Sequence, residues 1–273
     1  MIDAFHLPAL RGVPTTSRTY GEVELRIPRL TPALVREQAR ALGEARARGL
    51  EHRPVAEIVA VIDRVAARLL DPADELRMTA ERALPAITRY SPVMVRRVLD
   101  RMAADWRAEP LGELLRAEFG DPGVLDGFRP DARGHGRVAA FGPALAAHVF
   151  SGNVPGVAVT SIVRSLLVKA ATLGKTAAGE PLLPALFARA VAEEDTELGA
   201  CLAVAWWPGD DAALTGAALE SADAVIVYGG AEAVASVRAQ APKDARVLAY
   251  GPRLSFGMVA RERLAARAAE EVA

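Results

Sequence analysis

Apolar residues recur along this chain in two different rhythms. From residue 31 to about 119 they return every three or four positions, as in Val55, Ile58, Val59, Ile62, Val65, Ala66, Leu69 and Leu70. That spacing gathers them on one side of an amphipathic helix and predicts a succession of helices. Thr31-Pro32 and Ser91-Pro92 read as two of the starts. The hydroxyl accepts from an unpaired N–H of the first turn, and proline at the first helical position gives up only an N–H that has no partner there. A second apolar face is read along Val93, Val95, Val98, Leu99 and Met102, with Arg96, Arg97 and Arg101 solvating the outer side. Ahead of residue 31, Val23, Leu25 and Ile27 alternate with charged residues over 21–28, the pattern of a short half-buried strand.

Residues 121–143 form a connector rich in turn formers, among them Asp121-Pro122-Gly123 and Gly142-Pro143. Beyond it the second rhythm begins. Short apolar runs at 146–150, 171–175, 202–206, 224–228 and 246–250 read as strands, and the stretches at 155–169, 182–192, 211–219 and 231–240 read as helices. Strand and helix in regular alternation predict parallel βαβ units, hence an α/β protein with an N-terminal mainly helical region over 1–130 and a βαβ domain over 131–273. A parallel sheet takes its ligands at the carboxyl ends of the strands. The segments to search are therefore 151–156, 175–181, 206–211, 229–232 and 251–255.

Composition narrows the function classes. The 273 residues are 51% hydrophobic and 25% charged with a net charge of −1, ordinary values for a globular protein that leave no surplus of positive charge for a dedicated nucleic-acid or anionic-membrane binder. A single cysteine, Cys201, excludes an intramolecular disulfide framework and a Cys-rich zinc site. The four histidines form no H-x-x-x-H pair, so no metal centre is expected. Residues 1–11 lack the pattern of a secretory signal, and no run of about 18 apolar residues occurs, so a cytoplasmic protein without a membrane span is expected.

The loops hold the candidate chemistry. In Ser151-Gly152-Asn153-Val154-Pro155-Gly156, the glycines admit a ligand close to the backbone, and Asn153 offers an amide N–H beside a helix start. Asn153 reads equally well as an ordinary helix cap. Gly174-Lys175-Thr176 is not a P-loop, because Lys169 stands where the motif requires glycine. Lys175 nevertheless sits at the carboxyl end of a strand, where its ammonium and the Thr176 hydroxyl can reach ribose hydroxyls or a phosphate. It is one of only three lysines among 33 basic residues. Gly229 and Gly230 join a strand to a helix and let a pyrophosphate approach the helix N-terminus. Gly134-His135-Gly136 lacks both the third glycine and the preceding strand of a dinucleotide fingerprint. Cys201 opens an apolar strand and reads as a core residue rather than a nucleophile.

Taken together, four segments resemble the aldehyde dehydrogenase superfamily, and within it the LuxC-type acyl-CoA reductases. They are His148-Val149-Phe150 with the loop that follows, Leu167-Val168-Lys169 through Thr176, Asp223-Ala224-Val225-Ile226-Val227-Tyr228-Gly229-Gly230, and Tyr250-Gly251-Pro252-Arg253-Leu254-Ser255-Phe256-Gly257. Leu125-Asp126-Gly127-Phe128 adds to the likeness. The resemblance implies that 131–273 is a Rossmann-like dinucleotide-binding domain. It implies that Asn153 stabilises the oxyanion, and that Ser151, Gly152, Lys175, Thr176, Gly229 and Gly230 contact the cofactor. Ala178 stands where the superfamily often has an acidic residue binding the ribose, which favours NADPH, with NADH as the alternative. The substrate implied is an acyl-CoA or other acyl thioester, reduced to the aldehyde through a cysteine thioester, in a protein open to homo-oligomer formation.

Two departures shape the expectation. Ala249-Tyr250 stand where hydrolytic members carry a glutamate base, which fits a reductase that activates no water. The family's nucleophilic cysteine lies beyond residue 273, so the chain is expected to be an N-terminal portion that cannot turn over alone. The competing expectations are a non-catalytic nucleotide-binding or interaction module, and an assembly surface formed by 31–119.

Overall fold

The structure, a computed structural model, describes residues 1–131, 134, 136–253 and 256–258. Residues 261–273, whose sequence reads as a final helix, lie outside the described residues, as do His135, Leu254 and Ser255.

The chain opens with strands β1 (Ile2–Asp3), β2 (Thr15–Tyr20) and β3 (Val23–Pro28). Leu25 and Ile27 are buried on β3, as their alternation predicts. β2 carries no apolar signal. It is a strand because it pairs antiparallel with β3 through a two-residue turn in which Gly21 takes φ +56°, a conformation that glycine adopts without steric cost.

Five helices follow: α1 (Pro32–Gly49), α2 (Val55–Leu70), α3 (Glu75–Thr88), α4 (Pro92–Asp105) and α5 (Ala108–Phe119). Thr31 and Ser91 cap α1 and α4, accepting from Leu34 N at 3.3 Å and Met94 N at 3.1 Å. On α2 the predicted face is buried, from Val55 through Ile58, Ile62 and Val65 to Leu69. On α4 the buried residues are Val95, Leu99 and Ala103, whereas Val93 is 52% exposed. Residues two apart lie on opposite sides of a helix, so Val93 and Val95 cannot share a face.

The connector holds a 3₁₀ turn (Pro122–Leu125) and a small hairpin of β4 (Arg129–Pro130) and β5 (Arg137–Val138). Then come β6 (Leu145–Val149), α6 (Val157–Leu167), β7 (Ala171–Thr176), α7 (Leu183–Glu194), α8 (Thr196–Ala200) and β8 (Leu202–Trp206). The described elements end with α9 (Ala212–Leu219), β9 (Ala224–Tyr228), α10 (Ala231–Gln240) and β10 (Arg246–Tyr250). The predicted alternation is therefore present, with the short α8 added. α6 starts later than the proline suggests because Gly156, at φ +89°, is its N-cap. A Cβ there would also stand 2.9 Å from Met102 Cγ.

β6 to β10 form one parallel sheet in the order β10-β9-β6-β7-β8. The order reverses between β6 and β9, the crevice at which such sheets bind ligands. One face of these two strands, with Ala147, Val225 and Val227, packs on Leu219 of α9 and Val237 of α10. The other face presents His148 and Tyr228 to Ser161 of α6. The N-terminal segment covers the free edge of β8, where His6 and Val204 exchange two backbone hydrogen bonds of 2.9 Å, which removes an exposed pairing edge. One hydrophobic cluster runs through both parts of the chain, from Ala4 through Trp106 to Ala218. Among the described residues no helix is long and apolar enough to cross a membrane.

Candidate active site

Three neighbouring strands deliver the predicted residues to one rim. Val149 of β6 stands level with Lys175 of β7 and Val227 of β9. The Ser151–Asn153 loop, the Lys175-Thr176 end of β7 and the Gly229-Gly230 turn therefore emerge side by side at the carboxyl edge of the sheet.

Asn153 is exposed, and it does not cap α6, a position held by Gly156. The Ser151 hydroxyl donates to Asn153 Oδ1 at 2.7 Å, and the Tyr90 hydroxyl donates to the Asn153 backbone oxygen at 2.8 Å. With its oxygen turned to Ser151, Asn153 keeps its amide nitrogen as the outward donor. Gly152 is glycine for a packing reason: a Cβ would lie 2.9 Å from Glu180 N and 3.0 Å from Ala177 Cβ, so the loop after β6 rests directly on the turn after β7.

Lys175 points its Nζ at the Trp207 ring, 5.7 Å from the centroid, and makes no ion pair among the described residues. Burial lowers its pKa, because desolvation penalises an ammonium. Beside it, Thr176 Oγ1 is buried without a hydrogen-bond partner. Gly229 N donates to Tyr250 O at 3.2 Å, and Gly230 is the N-cap of α10 with open space beside its Cα. Glu232 stands in the first turn of α10, where its charge weakens the attraction of that helix end for an anion.

Cys201 is buried, donates to Glu197 O at 3.4 Å, and has its thiol pushed up to about 12 by burial. It is not positioned to act as a nucleophile, since a reactive cysteine needs an accessible thiolate.

Three features have no assigned role in the linear pattern. Glu180 is buried against Gly152, and burial raises its pKa to about 7 although Leu182 N and Leu183 N donate to its Oε1 at 3.0 and 2.7 Å. A cavity of about 460 Å³ opens between α4, α5 and α6, beginning at Val157. Its wall is mainly apolar, with Met102, Trp106, Leu111 and Val157, but Asp105 and Arg164 also line it, together with Ser161 and Tyr228. His148 is buried behind that wall, held between Ser161 and Ser165. Only the alternation of β6 hints at His148, by assigning it to one face of the sheet.

A five-stranded parallel sheet in this order, flanked by helices, is the fold of aldehyde dehydrogenases. Solved structures agree on the fold. Aldehyde dehydrogenase 21 from Physcomitrella patens superposes with a TM-score of 0.70 at 16% identity, over 92% of this chain and 52% of that one. NADP-dependent glyceraldehyde-3-phosphate dehydrogenase from Bacillus halodurans, complexed with NADP, gives 0.65 at 16% identity, over 86% of this chain and 48% of that one. Residues 50–273 match the family described as acyl-CoA reductase (LuxC), and the chain belongs to that family. Among its relatives are the long-chain acyl-protein thioester reductases of Aliivibrio fischeri, 29% identical over 192 residues, and Photobacterium phosphoreum, 27% identical over 192 residues. The chain spans 39% and 38% of the lengths of these two proteins, and the matches cover 67% of the chain itself.

Proposed function

We propose that this chain supplies the cofactor-binding part of a cytoplasmic reductase that converts an acyl thioester, on CoA or on a protein, to the aldehyde, with NADPH as reductant and NADH as the alternative. The observation that carries the reading is the placement of the Asn153 amide, oriented by Ser151, between Lys175-Thr176 and Gly229-Gly230 on three adjacent strands. The acyl-protein thioester reductases among its relatives support the substrate class.

The residues present fit a nicotinamide dinucleotide. Lys175 has no ion pair among the described residues, and the buried Thr176 hydroxyl lacks a partner; both suit the hydroxyls or 2′-phosphate of a ribose. Ala178 places no carboxylate where it would repel that phosphate. Gly229 and Gly230 leave room for the pyrophosphate, and Ser151 and Gly152 border the nicotinamide end. When bound, the cofactor supplies the hydride. Asn153 donates its amide N–H to the carbonyl oxygen as negative charge gathers on it, a contact stronger in the transition state than in the ground state. The cavity beside α6 takes the apolar acyl chain. The acylated cysteine is supplied from outside residues 1–273, since Cys201 is sealed in the core.

Calorimetry on the Lys175→Ala variant tests the cofactor site. Losing a charge-assisted hydrogen bond is expected to weaken NADPH binding by about 10- to 100-fold. An unchanged affinity would take Lys175 out of the cofactor contacts. The chain alone is expected to show no NADPH consumption with acyl-CoA, and sustained turnover would overturn the assignment of the nucleophile.

A further inference from the structure

A hydrogen-bonded chain runs from the cavity wall into the sheet. Tyr228 Oη lies 3.1 Å from Ser161 Oγ, Ser161 Oγ 3.1 Å from His148 Nδ1, and His148 Nε2 3.0 Å from Ser165 Oγ. His148 is 2% exposed and held neutral, its pKa lowered to about 3 by burial. A neutral imidazole has one donor and one acceptor nitrogen, and a serine hydroxyl has one proton to give. The position of one proton on His148 therefore decides which flanking serine donates to the ring and which accepts from it.

Two arrangements use the same atoms, the same charge and the same contacts. In the first, Tyr228 donates to Ser161, Ser161 donates to Nδ1, and Nε2–H donates to Ser165; Tyr228 then offers the cavity only its oxygen lone pairs. In the second, Ser165 donates to Nε2, Nδ1–H donates to Ser161, and Ser161 donates to Tyr228 Oη, which frees the phenolic proton for the cavity. The Tyr228 ring is held in place throughout, stacked on Tyr250 at a centroid distance of 4.7 Å and an interplanar angle of 8°.

We propose that Tyr228 is a polar contact for the acyl thioester in this cavity, donating together with Asn153 to its carbonyl oxygen, and that Ser161, His148 and Ser165 are positioning residues that turn its hydroxyl from acceptor to donor. The proposal rests on the acyl-thioester reading above. A carbonyl oxygen has no proton to give, so a bound thioester selects the second arrangement. His148 then carries its proton on Nδ1; the first arrangement, with the proton on Nε2, is that of the ligand-free chain.

Nitrogen-15 NMR of the histidine-labelled chain reads the tautomer directly, without any variant. Addition of hexadecanoyl-CoA is expected to move the His148 proton from Nε2 to Nδ1. In parallel, Tyr228→Phe, which keeps the ring stack, is expected to weaken hexadecanoyl-CoA binding roughly five- to tenfold and to leave NADPH affinity as it was. Saturable binding with an unchanged tautomer would overturn the proposal, and so would full affinity in Tyr228→Phe. Absence of any hexadecanoyl-CoA binding, with NADPH still bound, would instead remove the acyl-thioester reading of the cavity itself.

Discussion

Burial sets Glu180 against its own charge. In the folded chain its carboxyl keeps the proton up to about pH 7, while the ordinary value is 4.5. Between these values the folded state binds more protons than the unfolded state, so stability falls as pH rises, by up to about 3 kcal/mol. Glu180→Gln retains an oxygen for Leu182 N and Leu183 N but cannot ionise. Its urea midpoint is expected to stay nearly flat between about pH 5 and pH 8, where the parent chain weakens. Equal pH dependence in both would show that Glu180 is solvated. Asn153 and Lys175 are readable from the sequence because their loops carry recognisable residue types at strand ends. Glu180 is not, because its burial comes from the Ser151–Asn153 loop resting on the turn that holds it.

Among the elements, α2 and β2 mark the two extremes of legibility. The buried face of α2 is written in its three- and four-residue spacing, whereas Thr15–Tyr20 is polar and becomes a strand only by pairing with β3. Asp126 shows how such elements are fastened. Its Oδ1 accepts from Val55 N at the start of α2 at 2.9 Å and pairs with Lys169 Nζ at 2.8 Å, just before β7. Lys169 is 6% exposed and sits at φ +60°, so its ammonium depends on that carboxylate. Asp126→Ala strands the buried charge and is expected to cost about 3–5 kcal/mol in chemical denaturation. Adding Lys169→Met to Asp126→Ala is expected to recover much of the loss, because the stranded charge is then gone. Independent, additive effects would show that the pair is not coupled.

At the scale of the molecule, the composition break near residue 130 reads as a boundary between two regions, and we propose it as the organisation of the chain. The packing joins them. Leu42, Ile62 and Leu99 share one hydrophobic cluster with Ile162, Phe187 and Val204. Thermal unfolding is therefore expected as one cooperative transition, with far-ultraviolet circular dichroism and tryptophan fluorescence coinciding; two separated transitions would show independent cores. By itself the sequence determined which segments are helix or strand wherever one face is apolar, since periodicity follows from local backbone geometry. It also determined that the loops at strand ends hold Asn153, Lys175 and Gly229. The tertiary structure alone decided that β9, β6 and β7 lie side by side, that Gly152 seats on the turn holding Glu180, and that Tyr228, Ser161 and His148 join in one chain. Those contacts link residues up to 78 positions apart, and long-range proximity is a product of strand order and packing that no local pattern records.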